Sequence, residues 1–261
     1  MKKYFSILTM QVINNLAYPG DFLGRSISIA TFIFIFAGLW RTTFAISNTN
    51  IINGLTFPNM VWYFMMAETL ELGRPRINRT ISEQVKNGEV AYILNKPYNF
   101  LLYHFSAGLG DGIVRMTLNL IVGSIVAWIL AGAPPIPLGW LMAFVTLIGA
   151  WILHFCIMAL IGLAAFVVEE TNSFELIYQK LVFILGGFLL PIDMFPAWLQ
   201  KISYALPFPY MMYAPARLFV KPDVELFWQM LGGQVIWVAI FVFLLAFVYL
   251  RSEKYLTVNG G

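Results

Sequence analysis

Some pairs of residues in this sequence have the spacing of groups that act together. Asp111 and Arg115 are four apart, which stacks a carboxylate and a guanidinium on one helix face. Such a pair could line a polar path, or the two charges could neutralise each other near a membrane boundary. His154 lies two residues before Cys156 inside a long apolar run. An imidazole there could relay protons or touch a substrate. The plainer reading is a neutral histidine hydrogen-bonded inside a helix bundle. Glu68 and Glu71 are three apart at the end of another apolar run. They could meet basic residues of a partner or mark a membrane edge, and no nucleophile accompanies them.

Chemistry that needs a fuller set is not readable. No G-x-x-x-x-G-K-[ST] phosphate loop occurs, so an ATP site is not expected in this chain. His104 and His154 are fifty residues apart, and no metal-ligand spacing or resident cofactor is expected. The single cysteine, Cys156, has no partner for an intrachain disulfide. Nothing points to nucleic acid. Any function must come from where the surrounding elements place these groups.

Those elements are membrane helices. The chain is 60% hydrophobic and 11% charged, against roughly 25% charged in soluble domains. Several apolar runs approach or exceed the roughly 20 residues that cross a bilayer. A β-barrel would alternate in short segments instead. The fold class expected is all-α integral membrane, a single domain over 1–261. Six spans are read at about 22–44, 56–73, 105–131, 139–168, 178–194 and 229–250. Residues 1–18 carry Phe5, Leu8, Val12 and Leu16 near one face, which fits an amphipathic interfacial helix in contact with membrane lipids, ended by Tyr18-Pro19-Gly20. No cleavable signal peptide is read after Met1-Lys2-Lys3. With the N-terminus inside, eleven Lys and Arg residues fall on the inner side (Lys2, Lys3, Arg25, Arg74, Arg76, Arg79, Lys86, Lys96, Lys180, Arg251, Lys254). Four fall outside (Arg41, Lys201, Arg217, Lys221), so both termini are expected in the cytoplasm.

Two connections are unusual. The inner one, 74–99, contains "ISEQVKNGEVAYILNKPYNF", polar residues set among Ile81, Val85, Val90 and Ile93. Thr80 and Glu83 have capping-box spacing, Asn87-Gly88 reads as a helix end, and Pro97 stops a second helical piece. It could lie on the inner leaflet or dock a cytoplasmic protein. Glu169-Glu170-Thr171-Asn172 is a second candidate contact point or a plain solvated turn. The outer connection, 195–228, is too apolar for a free loop and too rich in proline for one helix, which suggests short re-entrant helices.

The order of these parts resembles the ABC-2 permease family, the membrane subunits of type 2 ABC exporters. The telling pieces are "ISEQVKNGEVAYILNKPYNF" and "GGFLLPIDMFPAWLQKISYALPFPYMMYAPARLF". The second is similar to the family's Gly-rich fifth span, Pro, Phe-Pro-x-Trp-Leu, then Leu-Pro. More narrowly the chain resembles bacterial drug-exporter-like permeases. The resemblance implies a cytoplasmic coupling helix between spans two and three, ATPase partner subunits that carry ATP and Mg, and a second permease as homodimer or related heterodimer. It also implies the bacterial inner membrane and export of an amphiphilic or drug-like substrate. Coupling residues expected on that basis are Glu83, Val85, Lys86, Glu89 and Ile93. Candidate lining of the path or dimer interface is Phe32, Phe36, Trp62, Phe64 and Phe188, which otherwise would contact lipid or pack the bundle. Two other classes compete. An ion-coupled secondary transporter would want ionisable groups at the midplane, where His154 is the clear candidate. An intramembrane enzyme acting on lipid would need a clustered catalytic set.

Overall fold

Thr56 starts the helix around which the others pack. Its hydroxyl accepts from the Asn59 amide at 3.4 Å, and the Asn59 side chain accepts from the Thr56 amide at 3.1 Å. Pro58 follows in the first turn, where a missing N–H costs nothing. The computed structural model describes residues 2–17, 19–135, 137–168 and 170–259. In chain order the α-helices are α1 (Lys2–Leu16), α2 (Pro19–Ser47), α3 (Phe57–Gly73), α4 (Ile77–Lys86), α5 (Glu89–Leu94), α6 (Phe100–Ala131), α7 (Pro137–Leu163), α8 (Asn172–Leu185), α9 (Ala197–Tyr204), α10 (Tyr213–Val220) and α11 (Val224–Asn259). Short 3-10 turns occur at Ala164–Phe166, Ile192–Met194 and Phe208–Tyr210. No strand occurs among the described residues, only an isolated bridge between Ile52 and Leu55.

Among the described residues, four segments are long and apolar enough to cross a membrane: Ser26–Ser47, Phe100–Ala131, Pro137–Phe166 and Val224–Ser252. The other two expected spans are shorter helices. α3 has 17 residues, about 25 Å at 1.5 Å per residue. It is buried from Met60 through Glu71, with α2, α6 and α10 around it. Its backbone meets protein rather than lipid. The expected fifth span over 178–194 is corrected. α8 ends at Leu185, and Gly187 turns the chain at φ 80°, a conformation that costs most side chains about 1–2 kcal/mol. The Gly187 carbonyl accepts from the Tyr63 hydroxyl at 2.5 Å, and the Gly186 carbonyl accepts from the Tyr213 amide at 3.0 Å. Two broken helical carbonyls thus find donors inside the protein, as buried backbone groups must.

The 195–228 region forms α9, a 3-10 turn and α10, with α11 starting at Val224. α10 is buried throughout and packs on α3 and α7. Asp193 and Arg217 pair at 3.0 Å, and the Asn53 side chain donates to the Asp193 carbonyl at 3.0 Å. Gln234 of α11 ties this region down. Its amide nitrogen donates to the carbonyls of Thr146 at 2.6 Å and Tyr210 at 2.7 Å.

α1 lies along α6 with Tyr4, Ile7, Leu8, Gln11, Val12 and Asn15 turned toward the protein. Gly110 allows this approach, since a Cβ there would sit 2.6 Å from the Leu8 carbonyl oxygen. The apolar face expected from sequence is split. Leu8 and Val12 face the protein, while Phe5, Met10, Ile13 and Leu16 stay exposed. Tyr18 and Glu169 lie outside the described residues.

Candidate functional site

α4 and α5 form the polar stretch, and the break falls at Asn87-Gly88, with Gly88 at φ 73°. The expected start is corrected. α4 begins at Ile77, so Thr80 is inside the helix and exposed and caps nothing. Ile77 and Ile81 are buried against α7, where Gly162 leaves the room. A Cβ on Gly162 would lie 2.9 Å from the Ile81 Cβ.

The polar side of α4 is fastened to α8 through one carboxylate. Glu175 accepts from Asn78 Nδ2 at 2.9 Å, Arg79 Nε at 3.0 Å, Arg79 Nη2 at 3.1 Å and Arg74 Nη2 at 3.4 Å. Arg74 also pairs with Glu71 at 3.2 Å, and Gln179 donates to Glu71 at 3.3 Å. The hydrogen bonds from Arg79 to Glu175 hold that guanidinium's pKa above its usual value. Beside this cluster Ser82 and Thr171 share a hydrogen bond at 2.7 Å, and Lys86 pairs with Glu170 at 3.5 Å. The Asn172 amide, donating to Glu170, keeps that carboxyl below the usual carboxylate range. Between α4 and α8 lies a charged cleft of about 420 Å3.

Of the residues expected to meet a partner, Glu83, Lys86 and Glu89 are exposed and Val85 is half-buried. Ile93 is 8% exposed and packs in the core, and Val90 of the same helix is buried too. Tyr92 of α5 is exposed, with the Lys96 ammonium 4.3 Å above its ring. Glu175 was missed. Its signal was an acidic residue in the first turn of a helix, against Arg74, Arg76 and Arg79 in the connection.

The aromatic candidates divide. Phe32 and Phe36 lie 4.4 Å apart between ring centroids, Phe36 and Phe64 4.6 Å, and Phe32 and Phe188 5.3 Å. Phe183 stacks on Phe188 at 4.4 Å, and Trp40 on Phe64 at 6.2 Å. These rings run between α2, α3 and α8. Trp62 is not among them. Two helical positions from Phe64 it points to the other side, donates to the Gly132 carbonyl at 3.3 Å and meets Phe219 at 6.0 Å.

Asp111 and Arg115 form the ion pair their spacing predicts, at 2.5 Å. His154 is buried, with its Nδ1 hydrogen-bonded to the Tyr178 hydroxyl.

The ABC-2 family transporter protein profile matches residues 27–260. This chain belongs to the ABC-2 transporter family. Members of that family are membrane components of transporters. The match takes in the α4–α5 stretch, the aromatic row and the α8–α11 return together. No curated protein matches the chain significantly.

Proposed function

We propose that this ABC-2 protein is the membrane-spanning permease of an ATP-driven exporter, moving an amphiphilic or drug-like molecule out of the cytoplasm. In this reading six segments cross the bacterial inner membrane, counting α3 and α8, and both termini are cytoplasmic. The ATP and Mg belong to separate ATPase subunits, and a second permease completes the path. The observation that carries the reading is the fastening of α4 to α8 through Glu175. α4–α5 leaves Glu83, Lys86, Glu89 and Tyr92 exposed, and the polar side of α4 that carries Glu83 and Lys86 is also tied through Arg79 to α8, the helix that carries Phe183 of the aromatic row. A push on these exposed residues would pass through Glu175 to α8 and to Phe183, which stacks on Phe188 just past the helix end. Transport follows if the bundle has two packings that the partner's nucleotide state biases.

The test is co-expression with the ABC ATPases of the same genome, followed by purification in mild detergent. The intact chain is expected to retain one ATPase. Glu83→Lys with Glu89→Lys, and separately Val85→Asp, are expected to release it while the permease stays folded. A folded permease that holds no ATPase under any of these conditions rejects the reading.

A further inference from the structure

Glu68 is the odd one among the buried acids. Glu71, Asp111 and Glu175 are buried carboxylates, and each is paired with an arginine. Glu68 is only 8% exposed, yet no hydrogen bond or ion pair reaches it among the described residues. An ionised carboxylate is costly to bury without a counter-charge. Helix geometry says where it stands. Glu68 comes four residues after Phe64 and three before Glu71, so the three share one face of α3. On that face Phe64 meets Phe36 of α2, and Glu71 accepts from Gln179 of α8. Glu68 is therefore at the Gly73 end of the aromatic row, on the face of α3 that α2 and α8 flank.

The row beside it is not closed. Phe64 and Phe188 are buried, but Phe32, Phe36 and Phe183 are half-buried and form an open rim. That rim already takes a cation, since the Lys180 ammonium lies 5.8 Å from the centre of the Phe183 ring. Lys180 makes no ion pair with Glu68. Ring faces attract cations, and most strongly where water is excluded. One carboxylate beside such faces suits a single positive charge on an apolar body. A metal ion would want several more oxygen ligands, and no group of three or more acids, histidines or cysteines occurs among the described residues. We propose that Glu68 and the rim of Phe32, Phe36 and Phe183 bind an amphiphilic organic monocation, with Glu68 selecting for its charge. The proposal rests on the exporter reading and narrows its substrate class.

The probes are tetraphenylphosphonium and tetraphenylborate, ions of the same shape and opposite charge. Binding to the full purified chain in detergent is measured by equilibrium dialysis, with protein-free micelles as the reference. Tetraphenylphosphonium is expected to bind about tenfold or more tightly than tetraphenylborate. Glu68→Gln keeps the shape and removes the charge. It is expected to weaken phosphonium binding about tenfold, the size of one charged contact, and to leave the unfolding midpoint unchanged or higher. Phe32→Leu keeps an apolar group without the ring and is expected to weaken it about threefold. Equal binding of the two ions overturns the proposal, as does absence of phosphonium binding or binding unchanged in Glu68→Gln. A lowered midpoint in Glu68→Gln makes the carboxylate structural and overturns its part in recognition. No ATPase enters the measurement, so a permease that holds no ATPase but binds phosphonium through Glu68 rejects the exporter reading alone.

Discussion

Arg79 holds Glu175 with both arms of its guanidinium, Nε at 3.0 Å from Oε2 and Nη2 at 3.1 Å from Oε1. The geometry is bidentate, and one partner is buried while the other's side chain is 58% exposed. Arg79 is thus a strap across the surface, anchored on an acid that Arg74 and Asn78 also hold from within.

Removing the anchor has the larger consequence. Glu175→Ala leaves the Arg74 guanidinium buried with a weaker set of partners and frees α4 from α8. The expected loss is about 3 kcal/mol, the low end for breaking a buried pair because Arg79 reaches solvent. Hydrogen exchange across residues 77–86 is expected to speed up. Arg79→Gln, at the exposed end, is expected to cost about 1 kcal/mol or less. Unchanged exchange in the Glu175 variant would mean that Ile77 and Ile81 alone hold α4.

Gly187→Ala tests the turn that ends α8. Its φ of 80° disfavours a side chain, and a Cβ would stand 3.1 Å from Ile192, Tyr213 and the Tyr63 hydroxyl. A loss of about 2 kcal/mol is expected, most of it from the left-handed backbone. The unfolding midpoint of the purified protein measures it.

Gln234→Leu keeps the volume but withdraws a donor from two backbone carbonyls, those of Thr146 and Tyr210. Unsatisfied groups of this kind cost about 1–3 kcal/mol. The loosening is expected to appear as faster protease cleavage within 205–223, with α2 and α3 unaffected.

Phe36→Ala and Trp62→Phe separate the aromatic row from the bundle's packing. Phe36 has rings on two sides at 4.4 and 4.6 Å and is half-buried. On the exporter reading its loss shifts the substrate concentration for half-maximal ATPase stimulation by about threefold to tenfold, the size of one or two ring contacts. Trp62→Phe is expected to lower stability with no such shift. If Trp62→Phe moves the substrate response and Phe36→Ala does not, the row is packing and the path runs elsewhere.

The legible parts of this protein were those carried by period and punctuation. Apolar length marked α2, α6, α7 and α11, and Asn87-Gly88 and Pro97 bracketed α5. Asp111 and Arg115 met because helix geometry alone brings them together. α8 misled because hydropathy continues through Gly186-Gly187 into Phe188, Leu189 and Leu190, although the helix has stopped. The burial of Ile93 was not legible, because a six-residue helix gives too little pattern to show which side is in. Trp62 was grouped with Phe64 by composition, when two steps along a helix put them on different sides. Glu175 joins residues about 100 positions apart, and a single sequence carries no trace of such a pairing beyond opposite charge.

The early end of α8 also orders the protein's biogenesis. At Gly186 and Gly187 the chain leaves two carbonyls that no later residue of its own helix can cover. Their partners are Tyr63, already synthesised, and the Tyr213 amide, still to come. The Tyr210 carbonyl in turn waits for Gln234. On the six-span reading, a membrane insertase that releases helices singly would set these groups in lipid with nothing to bond. Residues 186–220 must then stay in a hydrated or sheltered setting until α11 is delivered, and this half of the bundle closes in one late step. A chain truncated after residue 222 is expected to insert its earlier helices normally and still be cut freely between 186 and 220.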